Sequence, residues 1–197
     1  PERNQWSGGT FANLPIGQGM SMSLLQMSSI YQALANDGVR VEPRLIKKIT
    51  SADGTELGAE PAKETQVVSP ETARTTVDMF RAVTQSDETG VQQGTGAPAA
   101  IKGYQVSGKT GTAQQIDPNT GAYSNSSYWI TFAGIAPSDK PRFVVGIMLD
   151  NPQRGTDGGA GGTAAPLFHD IMSWMLDHYN VPLSEKAGPK LMLEANR

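Results

Sequence analysis

Apolar residues recur every three or four positions in three stretches of the chain and alternate with polar ones in others, a contrast that separates helices from strands. Met20, Leu24, Met27, Tyr31 and Leu34 keep helical spacing. Ser23-Leu24-Leu25-Gln26 opens that stretch as a capping box, in which Ser and Gln satisfy each other's backbone donors. Asn36-Asp37-Gly38 stops it, with Gly38 suited to a left-handed cap. A second helix starts at Ser69-Pro70-Glu71, where Ser caps, Pro fits the first turn and Glu complements the helix dipole. Ala73, Val77, Phe80 and Val83 form its apolar stripe. The third helix follows a glycine-rich loop, Gly155 to Gly162. Thr163 or a neighbour is expected to cap it, with Pro166 in its first turn. Leu167, Ile171, Trp174, Met175 and Tyr179 are expected to face inward.

Between the helices the pattern is extended. Val39 to Ile49 reads as strand, and Ser51-Ala52-Asp53-Gly54-Thr55 supplies a turn joining two short strands. Gly90 to Ala100 is a loop rich in Gly, Pro and Ala. Gly103 to Thr112 reads as a strand, and Asp117-Pro118-Asn119-Thr120-Gly121 as a loop tip. Tyr128–Ala136 and Arg142–Asp150, joined by Pro137-Ser138-Asp139-Lys140, make the strongest hairpin signal. Residues 182–197 form a polar tail expected to be loose. The order is helix, strands, helix, three strands, helix. Short-linked consecutive strands predict an α/β protein of the α+β type, an antiparallel sheet flanked by helices.

Composition narrows the field. The 197 residues are enough for one domain or a large piece of one, and long enough to bury a core. A net charge of -3 and the lack of any Lys/Arg run argue against a nucleic-acid partner. No apolar run approaches a membrane span. Zero cysteine excludes disulfides and thiolate metal sites.

The chemistry concentrates in Val106-Ser107-Gly108-Lys109-Thr110-Gly111-Thr112-Ala113. A strand with this sequence can line one wall of an acyl-transfer site, or carry no more than a Lys-Thr-Gly turn on a surface strand; its context decides between them. Lys109 supplies positive potential, and Thr110 can donate a hydrogen bond to a carboxylate. Gly111 lets a ligand backbone lie close, since it has no side chain. The Thr112 amide is a candidate donor to a developing oxyanion.

Lys109-Thr110-Gly111 resembles the Lys-Thr-Gly box of penicillin-recognising serine enzymes. The resemblance spans nearly the whole chain. Gly17-Gln18-Gly19, Ser23 to Gln26 and Tyr31 to Gly38 are similar to the helix after the second active-site motif of class B penicillin-binding proteins. Val106 to Gln114 resembles their third-motif strand, and Phe132 to Pro137 the strand beside it. Gly161 to Phe168 resembles the start of their C-terminal helix. The likeness is closest to the septal, division-specific transpeptidases of mycobacteria and relatives.

The resemblance implies a penicillin-recognising transpeptidase or β-lactamase-like fold. It implies a parent enzyme that cross-links peptidoglycan stem peptides ending in D-Ala-D-Ala and is acylated by β-lactams. Lys109 and Thr112 then belong to the catalytic group, and Thr110, Gly111 and Tyr128 to substrate binding; no cofactor or metal is implied. Thr110 and Thr112 would contact the carboxylate of a donor or β-lactam. Localisation at the outer face of the bacterial cell membrane, with an upstream anchor and division-complex membrane partners, also follows only from the family.

Two family motifs have no counterpart. No serine is followed three residues later by lysine, and none is followed two residues later by asparagine. The first motif carries the nucleophile and the lysine that helps activate it. The expectation is that residues 1–197 are the C-terminal portion of a transpeptidase domain, inactive alone, with the nucleophile upstream. Alternatives are a D,D-carboxypeptidase or serine β-lactamase of the same superfamily, and a non-catalytic β-lactam sensor or division scaffold.

Other candidates read as structural. His169 and His178 lie on the last helix off ligand spacing, without a third ligand. Asp117-Pro118-Asn119-Thr120-Gly121 lacks the closing Glu of a calcium loop, and Gly158 to Gly162 lacks the Gly-Lys-Ser/Thr ending of a phosphate loop. That second loop is expected near the site rim. Tyr128 and Trp129 can wall a ligand pocket or pack in the core. Met20, Met22 and Met27 read as core filler. Ser107 has only Lys109 near it as an activating base, and Ser124, Ser126 and Ser127 read as a solvated polar loop.

Overall fold

A computed structural model describes residues 14–17, 20–58, 61–86, 93–152 and 159–184. Helix α1 (Leu24–Ala35) has the full capping box: Ser23 N–H donates to Gln26 Oε1 at 2.8 Å, and Gln26 N–H to Ser23 Oγ at 3.2 Å. Gly38, at φ 83°, ends it by donating to the Ala33 carbonyl at 2.8 Å. A side chain at Gly38 would collide with the Val68 carbonyl. Met20 and Met22 are exposed, and of the three expected core methionines only Met27 packs on the core. The reason is that Met20 and Met22 precede the cap, where helical spacing does not apply.

The extended stretch after α1 splits into β1 (Val39–Val41) and β2 (Lys48–Thr50). Strand β2 pairs with β3 (Glu56–Gly58) around the expected Asp53-Gly54 turn, and β1 pairs with β4 (Glu64–Gln66). Helix α2 (Pro70–Phe80) is capped by Ser69, whose Oγ accepts from Thr72 N–H at 3.2 Å. A 3-10 turn, Arg81–Val83, follows it.

The central sheet is antiparallel, in the order β5 (Ser107–Ile116), β6 (Tyr123–Ala136), β7 (Phe143–Asp150). Strand β5 starts later than Gly103, because Gly103 sits at φ 85° in a turn closed by Tyr104 N–H to the Ile101 carbonyl. Strand β6 starts earlier than Tyr128. Ser124, Ser126 and Ser127 therefore lie within it, and Ser124 Oγ accepts from the N–H groups of the other two.

The expected loop over Gly90 to Ala100 holds a 3-10 turn at Ala97–Ala99, and residues 87–92 lie outside the described residues. Residues 153–158, which include the first half of the second glycine-rich loop, also lie outside them, while Gly159–Gly162 forms a short helix, α3, rather than loop. Thr163 stands at the N-cap of the long helix α4 (Ala164–His178), as expected, but makes no side-chain capping bond; its hydroxyl donates back to the Gly159 carbonyl at 2.8 Å. Pro182–Ser184, the start of the expected loose tail, is tied down. Ser184 Oγ donates to Asp139 and accepts from Gln105 N–H, and Ser184 N–H donates to the Gly103 carbonyl.

Helices cover both sheet faces. Ile130 and Phe132 pack against Phe168 and Met172 of α4, with the Phe132 and Phe168 rings 4.8 Å apart. Ala133 and Ile135 point the other way, onto Tyr31 of α1 and Val77 of α2. The buried face of α4 is Ala164, Ala165, Phe168, Met172 and Leu176. This corrects the expected stripe: Leu167, Ile171, Trp174 and Tyr179 are all exposed. Close approach of α4 to the sheet decides the matter. Gly134 leaves room for the Phe168 ring, and the alanines let the backbone approach, so the bulky Trp174 turns out and stacks on His178.

Candidate active site

Strand β5 is the edge of its sheet, and the Lys-Thr-Gly segment lies within it. Alternation sends Thr110 and Thr112 to the α4 face, opposite Phe132 and Ile130. Lys109 and Gly111 go to the α1–α2 face, opposite Ala133 and Thr131.

The Lys109 ammonium nevertheless reaches the edge. Nζ donates to the Thr110 carbonyl at 2.9 Å and lies 3.5 Å from Thr110 Oγ1. A Thr110 carbonyl free to meet Lys109 points away from β6. In an antiparallel ladder both backbone groups of every second residue share a direction, so Thr112 also turns its N–H and C=O to the open edge. Val106 obeys the same alternation, its carbonyl accepting from Thr84 Oγ1 at 2.7 Å. The edge is closed at Val106 and carries a cation, outward backbone groups and two threonines from Lys109 to Thr112.

Thr110 Oγ1 lies 3.0 Å from Thr95 Oγ1. Thr95 joins the candidate site through this contact and was missed in the sequence; its signal was the pair of glycines around it in Gly94-Thr95-Gly96. Gly161 of α3 lies against the Thr95 carbonyl, too close for any side chain. Thr112 Oγ1 faces Gly159, 3.6 Å from where a Cβ would stand. The described end of the glycine-rich loop thus sits beside the threonines.

Gly111 has a second reason to lack a side chain, since a Cβ would run into Thr131 Oγ1. Tyr128 shares the face of Thr110 and Thr112, is partly buried against the core, and donates its hydroxyl to the Asn125 carbonyl at 3.0 Å. Trp129 lies on the opposite face, opposite Ala113, and is 40% exposed. Ser107 is fully buried, its hydroxyl 2.6 Å from the Val77 carbonyl and 2.7 Å from Ser138 Oγ. No reagent reaches it there. His169 Nδ1 lies 2.7 Å from the Ala100 carbonyl, and His178 stacks on Trp174. Among the described residues no three His, Asp or Glu side chains cluster as a metal site would require.

An edge strand with this segment, backed by a helix at each face, is the frame the resemblance implies. The penicillin binding protein transpeptidase domain model matches residues 1–173. The chain belongs to the penicillin-binding protein transpeptidase family. Penicillin-binding protein PbpB of Mycolicibacterium smegmatis is 60% identical over 99% of this chain and 30% of its own length. Peptidoglycan D,D-transpeptidase FtsI of Escherichia coli is 32% identical over 92% of this chain and 28% of its own length. The crystal structure of penicillin binding protein 3 from Mycobacterium tuberculosis, complexed with ampicillin, superposes with a TM-score of 0.89 at 58% identity. It covers 98% of this chain and 43% of that one. The chain therefore spans less than a third of the length of these two curated relatives. Lys109 to Thr112 lie within the matched residues.

Proposed function

We propose that the protein to which this chain belongs is a serine-type peptidoglycan D,D-transpeptidase of septal wall synthesis, and that the chain forms one wall of its site. The open edge of β5 from Lys109 to Thr112 is the single observation that carries this reading. The donor stem peptide, ending in D-Ala-D-Ala, lies along that edge. Lys109 provides positive potential beside the nucleophile, and the outward N–H of Thr112 donates to the oxyanion of the tetrahedral intermediate, where a fixed donor is most effective. The hydroxyls of Thr110 and Thr112 meet the donor carboxylate, with Thr95 holding Thr110 in place and Tyr128 closing the same face.

Attack by a serine supplied from sequence upstream of this chain forms an acyl-enzyme and expels the terminal D-Ala. An amine from a neighbouring strand then takes the acyl group. A β-lactam enters as a mimic of the donor and acylates the same serine; the ampicillin complex of the 58% identical relative supports this. The names of the relatives support peptidoglycan as substrate. Anchoring at the outer face of the cell membrane through an upstream segment, and assembly with division proteins, complete the proposal. No helix among the described residues is long and apolar enough to cross a membrane.

Lys109→Ala in a polypeptide that includes the upstream motifs tests the assignment. β-Lactam acylation should fall by about 10²-fold or more with an unchanged far-UV spectrum. Acylation at the wild-type rate would remove Lys109 from the site.

A further inference from the structure

The ladder between β5 and β6 begins only at Ser107, opposite Ile135. Residues 103–106, which lead into β5, are held from outside the sheet. Thr84 Oγ1 donates to the Val106 carbonyl at 2.7 Å, and Ser138 N–H donates to the Gln105 carbonyl at 2.8 Å. The remaining ties come from the residues after α4. Asn180, at φ 50°, turns the chain back at the end of that helix. Val181 settles against the core, and its carbonyl accepts from the Tyr104 hydroxyl at 2.7 Å. Ser184 then grips two positions at once. Its N–H donates to the Gly103 carbonyl at 3.0 Å, and its Oγ accepts from Gln105 N–H at 3.0 Å. The hydroxyl hydrogen goes to Asp139 Oδ1 at 2.7 Å, which leaves a lone pair for Gln105. One serine thus joins the tail of α4, the turn between β6 and β7, and the approach to β5.

These ties bear on the edge because β5 has a strand neighbour on one side only. Gly108 and Gly111 flank Lys109 and Thr110, and a glycine inside a strand weakens its hold. The start of the strand therefore depends on what anchors the residues before it. Ser107 carries the anchor across to α2, since its buried hydroxyl meets both Ser138 Oγ and the Val77 carbonyl. We infer that Ser184 is a positioning residue for the acyl transfer: by fixing Gly103 and Gln105 it sets the place of Lys109, four residues beyond Gln105, against the nucleophile. The inference rests on the function proposed above. Ser184 touches no substrate and acts only through the strand, where a small displacement is felt strongly at the reacting atoms.

The test follows fluorescent-penicillin acylation of a polypeptide that includes the upstream motifs, with rate and labelled fraction measured separately. Ser184→Ala removes the Gln105 contact and leaves the backbone bond to Gly103. It should acylate about five- to tenfold more slowly while still labelling to completion. Ser184→Thr keeps the hydroxyl and should return to within about twofold of wild type. A serine with a purely structural role would instead lower the labelled fraction and leave the rate of the remainder unchanged. That result would overturn the inference, as would a wild-type rate in Ser184→Ala, or a Ser184→Thr as slow as Ser184→Ala. Lys109→Ala, run alongside, separates the two readings. If it acylates at the wild-type rate, the proposed function fails and the role of Ser184 with it. A slow Lys109→Ala beside a normal Ser184→Ala removes Ser184 alone.

Discussion

At the scale of the residue, three groups sort by what their surroundings allow. Ser107 is a hydroxyl spent on a buried hydrogen bond, whereas Thr110, three positions on, keeps its hydroxyl at an accessible edge. Thr110→Val keeps the shape and removes the hydroxyl. Binding of carboxylate-bearing β-lactams should fall roughly ten- to a hundredfold, the worth of one hydrogen bond to a charge. A neutral analogue lacking the carboxylate should lose far less; equal losses would take the carboxylate away from Thr110. Tyr31 is the third group. Burial pushes its phenol up to about 12, because the phenolate loses its hydration against α2. The unfolded chain ionises near pH 10, so stability is full below that pH and is lost as the pH rises toward 12. Denaturant titrations at pH 9 and pH 12 should show Tyr31→Phe gaining on wild type by up to about 2–3 kcal/mol. Parallel pH dependence in the two proteins would contradict this.

At the scale of the element, side-chain packing decided what periodicity left open. Phe168 fills the space over Gly134 and meets Phe132, while Trp174 stacks on a solvent-facing histidine. Phe168→Ala should cost about 3–5 kcal/mol in urea unfolding, and Trp174→Ala under about 1 kcal/mol. The reverse ranking would restore the stripe first read from the sequence. That stripe was off by one residue for a legible cause. The apolar residues of α4 nearly encircle it, and choice among faces falls to the partner's shape, which no local pattern contains. Signals that act within one turn fared better. The Ser23–Gln26 capping box, the Ser69 cap and the Asp53-Gly54 turn stand where the sequence put them. The Lys-Thr-Gly segment was legible because its chemistry is written in consecutive residues. Thr95 was not, because it reaches Thr110 only through the fold.

At the scale of the whole molecule, helices cover both faces of the three-stranded sheet, and Lys109 to Thr112 lie on its open edge. The sheet supplies rigidity through the Phe132–Phe168 core on one side and the Tyr31–Val77 core on the other. The edge supplies outward backbone groups that no other described strand satisfies. On the proposed function this edge is one wall of the site and the attacking hydroxyl lies outside the chain, a reading supported by the burial of Ser107 and by the lack of any serine with a lysine three residues on. Labelling with a fluorescent penicillin, read by denaturing gel and intact mass, tests this most directly. The 20.9 kDa chain alone should stay unlabelled, while a polypeptide extended upstream should take up one label at a serine outside these residues. A label on the 20.9 kDa chain itself would place the nucleophile among its own serines and contradict the account.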